Sequence, residues 1–246
     1  MLNRCVIALA ALGCLVQPAS AEEIPPYAPG TASTVAMTAN TDQHWRFRVM
    51  LGNREIGFHE FRVNELEEET TVQINANFNV KILFFNAYSY RHQNEESWRD
   101  NCLNRLESVT DDNGEMLSVI GQMGGGRFIV DTPAERVEEE ATCMRSFAYW
   151  NPAFLDSKRL LNPQTGEIVD VDIADLGNEL IEIDGDNVAA TRYALEMEEG
   201  TISLWYARDN GQWLALEAPA PGGRVLRYEP VELPFSLPAP DKLAQN

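Results

Sequence analysis

Hydrophobic and polar residues alternate with a period of two along most of this chain, the mark of strands that bury one face. Trp45, Phe47, Val49 and Leu51 alternate with Arg46, Arg48 and Met50. Gly52-Asn53 then makes a tight turn, and residues 55–63 return, with Gly57, His59, Phe61 and Val63 on one face and Ile56 and Phe58 on the other. Residues 70–78 alternate through Val72, Ile74, Ala76 and Phe78, and residues 82–91 follow, dense in aromatics. A strand over 98–110 leads into Asp111-Asp112-Asn113-Gly114, a strong hairpin sequence, from which 115–120 pairs back.

Gly124-Gly125-Gly126 allows a turn into a short strand over 127–130. The pattern then lapses. Residues 132–140 form a charged stretch with at most a short helix, and an aromatic knot, Phe147-Ala148-Tyr149-Trp150, ends at Asn151-Pro152. One more short helix is expected within 151–161, followed by a turn at 162–166. Strands resume over 168–173, 179–183, 189–197, 201–207, 212–217 and 224–229. This many antiparallel strands with little helix predict a mainly β chain built as one large curved sheet or barrel. No internal repeat or composition break asks for two domains.

The two ends do not share the pattern. Residues 1–21 place Arg4 before an apolar run from Cys5 to Val16, then Pro18 and the small-residue triplet Ala19-Ser20-Ala21. This is the layout of a cleavable signal peptide, with an apolar stretch too short to span a bilayer. Lipidation at Cys14 is the alternative, on a poor lipobox. Residues 22–40 and 233–246, rich in Pro, Ala and Thr or in Pro alone, predict a flexible N-terminal segment and a flexible C-terminal tail around a single β-rich domain over 41–232. No later run of about 18 apolar residues occurs, so no transmembrane segment is expected.

Export changes the reading of composition. The chain has 38 acidic and 19 basic residues, for a formal net charge of −19. That balance opposes nucleic acid or an anionic lipid surface as a partner. Of four cysteines, Cys5 and Cys14 leave with the signal peptide. Cys102 and Cys143 remain, and in an oxidising compartment they predict a disulfide, with two unpaired buried cysteines as the alternative. The expected location is the periplasm, or else the extracellular space.

Candidate chemistry is sparse. Three histidines, His44, His59 and His92, show no metal-ligand spacing, and neither a metal nor another cofactor is expected. His92, near Glu95, Glu96 and Asp100, is the best placed for acid–base work. Asp170-Val171-Asp172 and Asp184-Gly185-Asp186-Asn187 are only fragments of a calcium loop. No G-x-S-x-G elbow or phosphate-binding glycine loop is present. The aromatics carry more information. Phe78, Phe84, Tyr88, Trp98, Tyr149 and Trp205 are the candidate ligand-binding residues, lining an apolar groove on the sheet or else simply filling the core.

The run Gly52-Asn53-Arg54-Glu55-Ile56-Gly57-Phe58-His59 resembles the opening motif of DUF6134, a bacterial family of secreted proteins. The segments at 96–103, 108–114, 149–151, 161–166 and 204–213 resemble it too. The opening and the late Leu204-Trp205-Tyr206…Gly211-Gln212-Trp213 hairpin are also similar to DUF3108 and, more distantly, to the LolA/LolB-like envelope proteins. That resemblance implies a strongly curved antiparallel half-barrel wrapped over a few short helices, with a concave face that holds acyl chains. It supplies no catalytic residues. The leading expectation is therefore a periplasmic protein binding a lipid or other apolar ligand. The alternatives are an envelope interaction or scaffold protein, which would dock a protein partner, and a hydrolase-type enzyme.

Overall fold

The computed structural model describes residues 41–82 and 85–237. The signal peptide, the 22–40 segment and the end of the tail lie outside the described residues. The sheet begins with a five-stranded meander: β1 (Thr41–Leu51), β2 (Arg54–Leu66), β3 (Glu69–Ile82), β4 (Phe85–Arg99) and β5 (Cys102–Asp112). It continues through β6 (Glu115–Gly124), β7 (Arg127–Asp131) and β8 (Arg136–Glu140). A 3-10 turn (Pro152–Asp156) and the small pair β9 (Arg159–Leu161) and β10 (Ile168–Asp170) interrupt it. β11 (Asp172–Ile183), β12 (Asp186–Met197), β13 (Gly200–Ala207), β14 (Trp213–Ala220) and β15 (Arg224–Glu232) then complete it.

Thirteen strands form one sheet in the order β11-β12-β13-β14-β15-β1-β2-β3-β4-β5-β6-β7-β8. Each is antiparallel to its neighbours, and β15 joins the two runs by pairing with β1. Neither the curved sheet or barrel expected from the strand count nor the half-barrel expected from the resemblance forms. The sheet is neither closed nor strongly curled, and β11 and β8 remain as two separate edges. The short helices reduce, among the described residues, to the single 3-10 turn. A physical reason is visible in the middle of the chain. Residues 141–171 lie over one face and bury Met144, Phe147, Ala148, Tyr149, Trp150, Phe154, Leu160 and Leu161 against it. With that cover in place, the sheet need not curl on itself to remove its apolar face from water.

The cover is fastened at several points. Cys102 and Cys143 form a disulfide, with Cα atoms 5.0 Å apart. The Leu103 amide donates to the Met144 carbonyl at 2.8 Å, and Arg145 Nε donates to the Asn101 carbonyl at 3.1 Å. The Tyr206 hydroxyl donates to the Tyr149 carbonyl at 2.8 Å, and the Ser108 hydroxyl donates to the Pro163 carbonyl. Gly166, at φ +80°, lets the 162–166 turn approach β7. A Cβ there would stand 2.7 Å from Thr132 Cγ2.

Several strand boundaries differ from the periodicity: the expected strands over 168–173 and 179–183 become β10 (Ile168–Asp170) and the longer β11 (Asp172–Ile183), and two other changes have a visible cause. The chain turns at Asp100-Asn101, both at positive φ (49° and 59°), so the predicted strand over 98–110 is divided between β4 and β5. Those angles belong to a two-residue hairpin of the primed type, here without glycine. The charged stretch at 132–140 contributes a strand, β8. On it Glu138 and Glu140 face Arg127 of β7 at 3.1 Å each, so cross-strand ion pairs replace an apolar stripe.

Candidate functional site

Antiparallel register sets side chains from neighbouring strands side by side on one face. Across β2, β3, β4 and β5 it aligns His59, Ala76, His92 and Thr110. The adjacent rows are Phe61, Ile74, Asn94 and Ser108, then Val63, Val72, Glu96 and Leu106. On this covered face β4 therefore presents Tyr90, His92, Asn94 and Glu96 in succession, and all four are buried. β3 beside it presents Phe78, Ala76, Ile74 and Val72. A polar ladder thus runs down one strand against an apolar one, under the cover.

Gly57 helps to set His59 in this row. It sits at the β1–β2 bulge, and its backbone comes so close to β3 that a Cβ would lie 1.8 Å from the Asn77 carbonyl oxygen. His59 Nδ1 is 3.0 Å from the Tyr228 hydroxyl, and His92 Nδ1 is 2.9 Å from Thr110 Oγ1. Which partner donates in each pair depends on the imidazole tautomer. Glu96 accepts from Asn94 Nδ2 and Trp98 Nε1 at 2.8 Å each, and from Ser146 Oγ of the cover at 3.0 Å.

Between ladder and cover lies a cavity of about 70 Å³. His59, Tyr90, His92, Asn94 and Glu96 line it from the sheet, and Phe147, Tyr149 and Asn162 from the cover. Ile202, Leu216, Leu226 and Tyr228 close the side toward β13–β15. Most of the lining is apolar, and it contains no lysine, arginine, serine or cysteine. Three buried polar atoms of lining residues have no hydrogen-bond partner: His59 Nε2, Asn94 Oδ1 and Asn162 Nδ2. Each such orphan costs about 1–3 kcal/mol unless a bound group or a water satisfies it.

The cavity is electrically quiet. Burial depresses the pKa of His92 to about 4. Burial, then the neighbouring His92, holds His59 well below the usual histidine range. Both imidazoles are neutral near pH 7. Burial raises Glu96, against the opposing pull of its three donors, and burial also raises Tyr90, Tyr149 and Tyr228, which keep their protons. Such a site can exchange hydrogen bonds with an uncharged group. Among the described residues no cluster of three or more His, Cys, Asp or Glu could hold a metal ion.

The six aromatic candidates separate. Phe78 and Tyr149 line the cavity. Tyr88 and Trp98 are buried outside it, Trp98 through its bond to Glu96 and an edge contact with Trp150 at 5.6 Å. Trp205 lies in a second apolar cluster with Val188, Ala190 and Leu214. Phe84 lies outside the described residues. The functional candidates that sequence reasoning missed are Asn94, Glu96 and Asn162. His92 was singled out and His59 noted, but nothing in their spacing announced that one row would align them. A signal did exist: Tyr90, His92, Asn94, Glu96 and Trp98 alternate as strictly as any strand, with polar residues where apolar ones are expected.

Comparison with known proteins extends the fold. Residues 47–231 match the family model described as Domain of unknown function (DUF6134). Among solved structures, a beta-barrel-like protein of domain of unknown function DUF1849 from Brucella abortus aligns with a TM-score of 0.57 and 12% identity. The alignment covers 81% of this chain and 98% of that one. At this identity the likeness concerns the fold alone, and it falls on a DUF1849 protein rather than on DUF3108 or LolA/LolB. No curated protein matches the sequence. No helix among the described residues is long and apolar enough to cross a membrane.

Proposed function

The chain belongs to DUF6134, a family of unknown function, and for it we propose a binding role in the cell envelope: an exported, periplasmic protein that holds a small, largely apolar ligand between its sheet and the 141–171 cover. The observation that carries this reading is the cavity itself, with three orphaned polar atoms in a mainly apolar lining. Ligand sites combine that kind of apolar surface with a few placed hydrogen-bonding groups. The absence of a serine, cysteine or lysine nucleophile from the lining favours binding over covalent catalysis. The signal-peptide layout of residues 1–21 and the Cys102–Cys143 disulfide support an oxidising compartment.

Native mass spectrometry of the protein purified from the periplasm of an expressing bacterium tests the role. A one-to-one adduct is expected, and Leu226→Phe, which places a larger side chain in the cavity wall, should lose it. Protein that is empty and takes up no small molecule would overturn the proposal and move the weight to an interaction role.

A further inference from the structure

The face of the sheet opposite the cover is closed by the chain's own tail. Ile183, Val188, Ala190, Trp205, Ala207 and Leu214, drawn from β11 to β14, form an apolar patch there, and Leu233, Phe235 and Leu237 pack against it. We infer that this patch is a docking groove for a short segment of a partner protein. The segment carries leucine or phenylalanine at alternate positions around a proline, with basic residues on its flanks, and residues 233–237 occupy the groove as an internal competitor.

The tail shows what the groove accepts. Its three apolar side chains fall at every second residue, with Pro234 and Ser236 between them, and the chain bends at Pro234-Phe235. Among the described residues, none exchanges a hydrogen bond with 233–237. Side chains alone hold the tail in place, and Pro234 has no N–H to add to the sheet. Leu233, Phe235 and Leu237 are each only half-buried, whereas no buried member of the patch is more than 7% exposed. A segment attached in this way belongs to the part of a fold that opens most readily. Another segment with the same side chains can replace it without loss of a backbone hydrogen bond.

The patch also has the makings of an interface. The Arg192 guanidinium lies over the Trp205 ring at 5.2 Å, and its Nε is buried without a partner. Tryptophan and arginine are the residue types on which binding energy concentrates. Charge selects the flanks. Glu182, Asp184 and Asp186 stand exposed in the chain beside Ile183 and Val188, and Asp209 follows Ala207 by two positions, against Arg192 and Arg208. The tail is preceded by Glu232, a like charge, whereas basic flanks would meet carboxylates.

The test uses the full exported chain and a synthetic peptide, Leu-Pro-Phe-Ser-Leu with two lysines at each end, followed by isothermal titration and NMR at pH 7. A chain with Leu233→Ser, Phe235→Ser and Leu237→Ser should bind it one-to-one. The affinity should be about tenfold or more above that of the unsubstituted chain, whose own tail competes at high effective concentration. Adding Trp205→Ala should remove most of that gain. Glutamates in place of the lysines should weaken binding several-fold at low salt, a gap that closes as salt rises. Equal affinity of the two chains would overturn the inference. So would no binding by a substituted chain whose β11–β14 amides stay protected from exchange, and equal affinity for the two peptides at low salt would overturn the basic partner. Should the substituted chain lose that protection, the unsubstituted one decides. Millimolar peptide should then move the signals of residues 233–237 as the tail leaves, and unmoved signals would overturn the inference. None of these outcomes bears on the cavity, which lies on the other face of the sheet.

Discussion

Two apolar clusters occupy opposite faces of the same sheet, and they are finished differently. On one face Trp205 packs with Ile183, Val188, Ala190, Ala207 and Leu214 beneath Leu233, Phe235 and Leu237. Its indole nitrogen donates to Glu179, and the Arg192 guanidinium lies over its ring at 5.2 Å. Arg192 Nε, beside that ring, is itself buried without a hydrogen-bond partner. On the other face the ring of aromatics under the cover encloses space, together with two neutral histidines and three polar atoms without partners. Trp205 is the one aromatic among the buried members of the first cluster, whereas six aromatics line the cavity on the other face. Enclosed space and a row of buried polar side chains separate the candidate site from the core.

The comparison can be broken most forcefully at the disulfide. Replacing Cys102 and Cys143 together by alanine should cost about 4 kcal/mol in the chain-entropy view of a bridge spanning 41 positions. Urea titration would give the loss. Because the bridge acts on the unfolded chain, that loss is global, and hydrogen exchange should show in addition that 143–171 opens locally at lower free energy than the Trp205 cluster; equal opening free energies on both faces would contradict the contrast. Trp205→Ala should cost about 3 kcal/mol, the low end for a buried aromatic, because the partly buried Leu233, Phe235 and Leu237 over it can close into the space left. It should leave the adduct seen by native mass spectrometry as it was.

Acid provides the third lever. His92 titrates near pH 4 in the folded chain and near 6.5 when unfolded. Between those values the unfolded chain binds a proton that the folded one refuses, so stability falls as pH drops through that window. The expected loss is about 2–3 kcal/mol, and His92→Gln should flatten that part of the curve. Glu96 acts in the opposite sense. Its raised pKa means that the folded chain holds a proton at pH values where the unfolded carboxyl has lost it, so acidification relieves its burial. The smallest effect is expected from Ser146→Ala, which removes one of three donors to Glu96. It should cost about 1–2 kcal/mol and push Glu96 further up, measurable as a shifted midpoint in the same pH series.

Hydrophobic alternation made most of the sheet legible. The turn at Gly52-Asn53, the hairpin at Asn113-Gly114 and the strands over 201–207 and 224–229 all appear where Trp, Val, Leu and Tyr recur at every second residue. It failed where polar groups enter the buried face. Residues 92–97, with His92, Asn94 and Glu96 pointing under the cover and Gln93, Glu95 and Ser97 pointing away, read as a break between strands and are the middle of β4. The site was therefore hidden by the very feature that makes it a site. The cover was harder still, because the docking of Ser146 and Tyr149 onto β4 and β13 depends on contacts between residues some 50 positions or more apart. Curvature was expected from the strand count and the half-barrel form of it from resemblance; both failed, and the cover supplies what curling would have supplied.

An open sheet also leaves two unfinished ladders of backbone donors and acceptors, at β8 and β11, onto which a foreign strand could add. β8 ends in Glu138-Glu139-Glu140, and β11 carries Asp172, Asp175, Glu179 and Glu182 with a bulge at Gly177. Two copies meeting edge to edge would set carboxylate against carboxylate, on chains that each already bear a charge of −19. Fibril-like stacking is thereby opposed at neutral pH by charge alone, and that protection is strongest where the medium is dilute in salt and weakens as the glutamates take up protons.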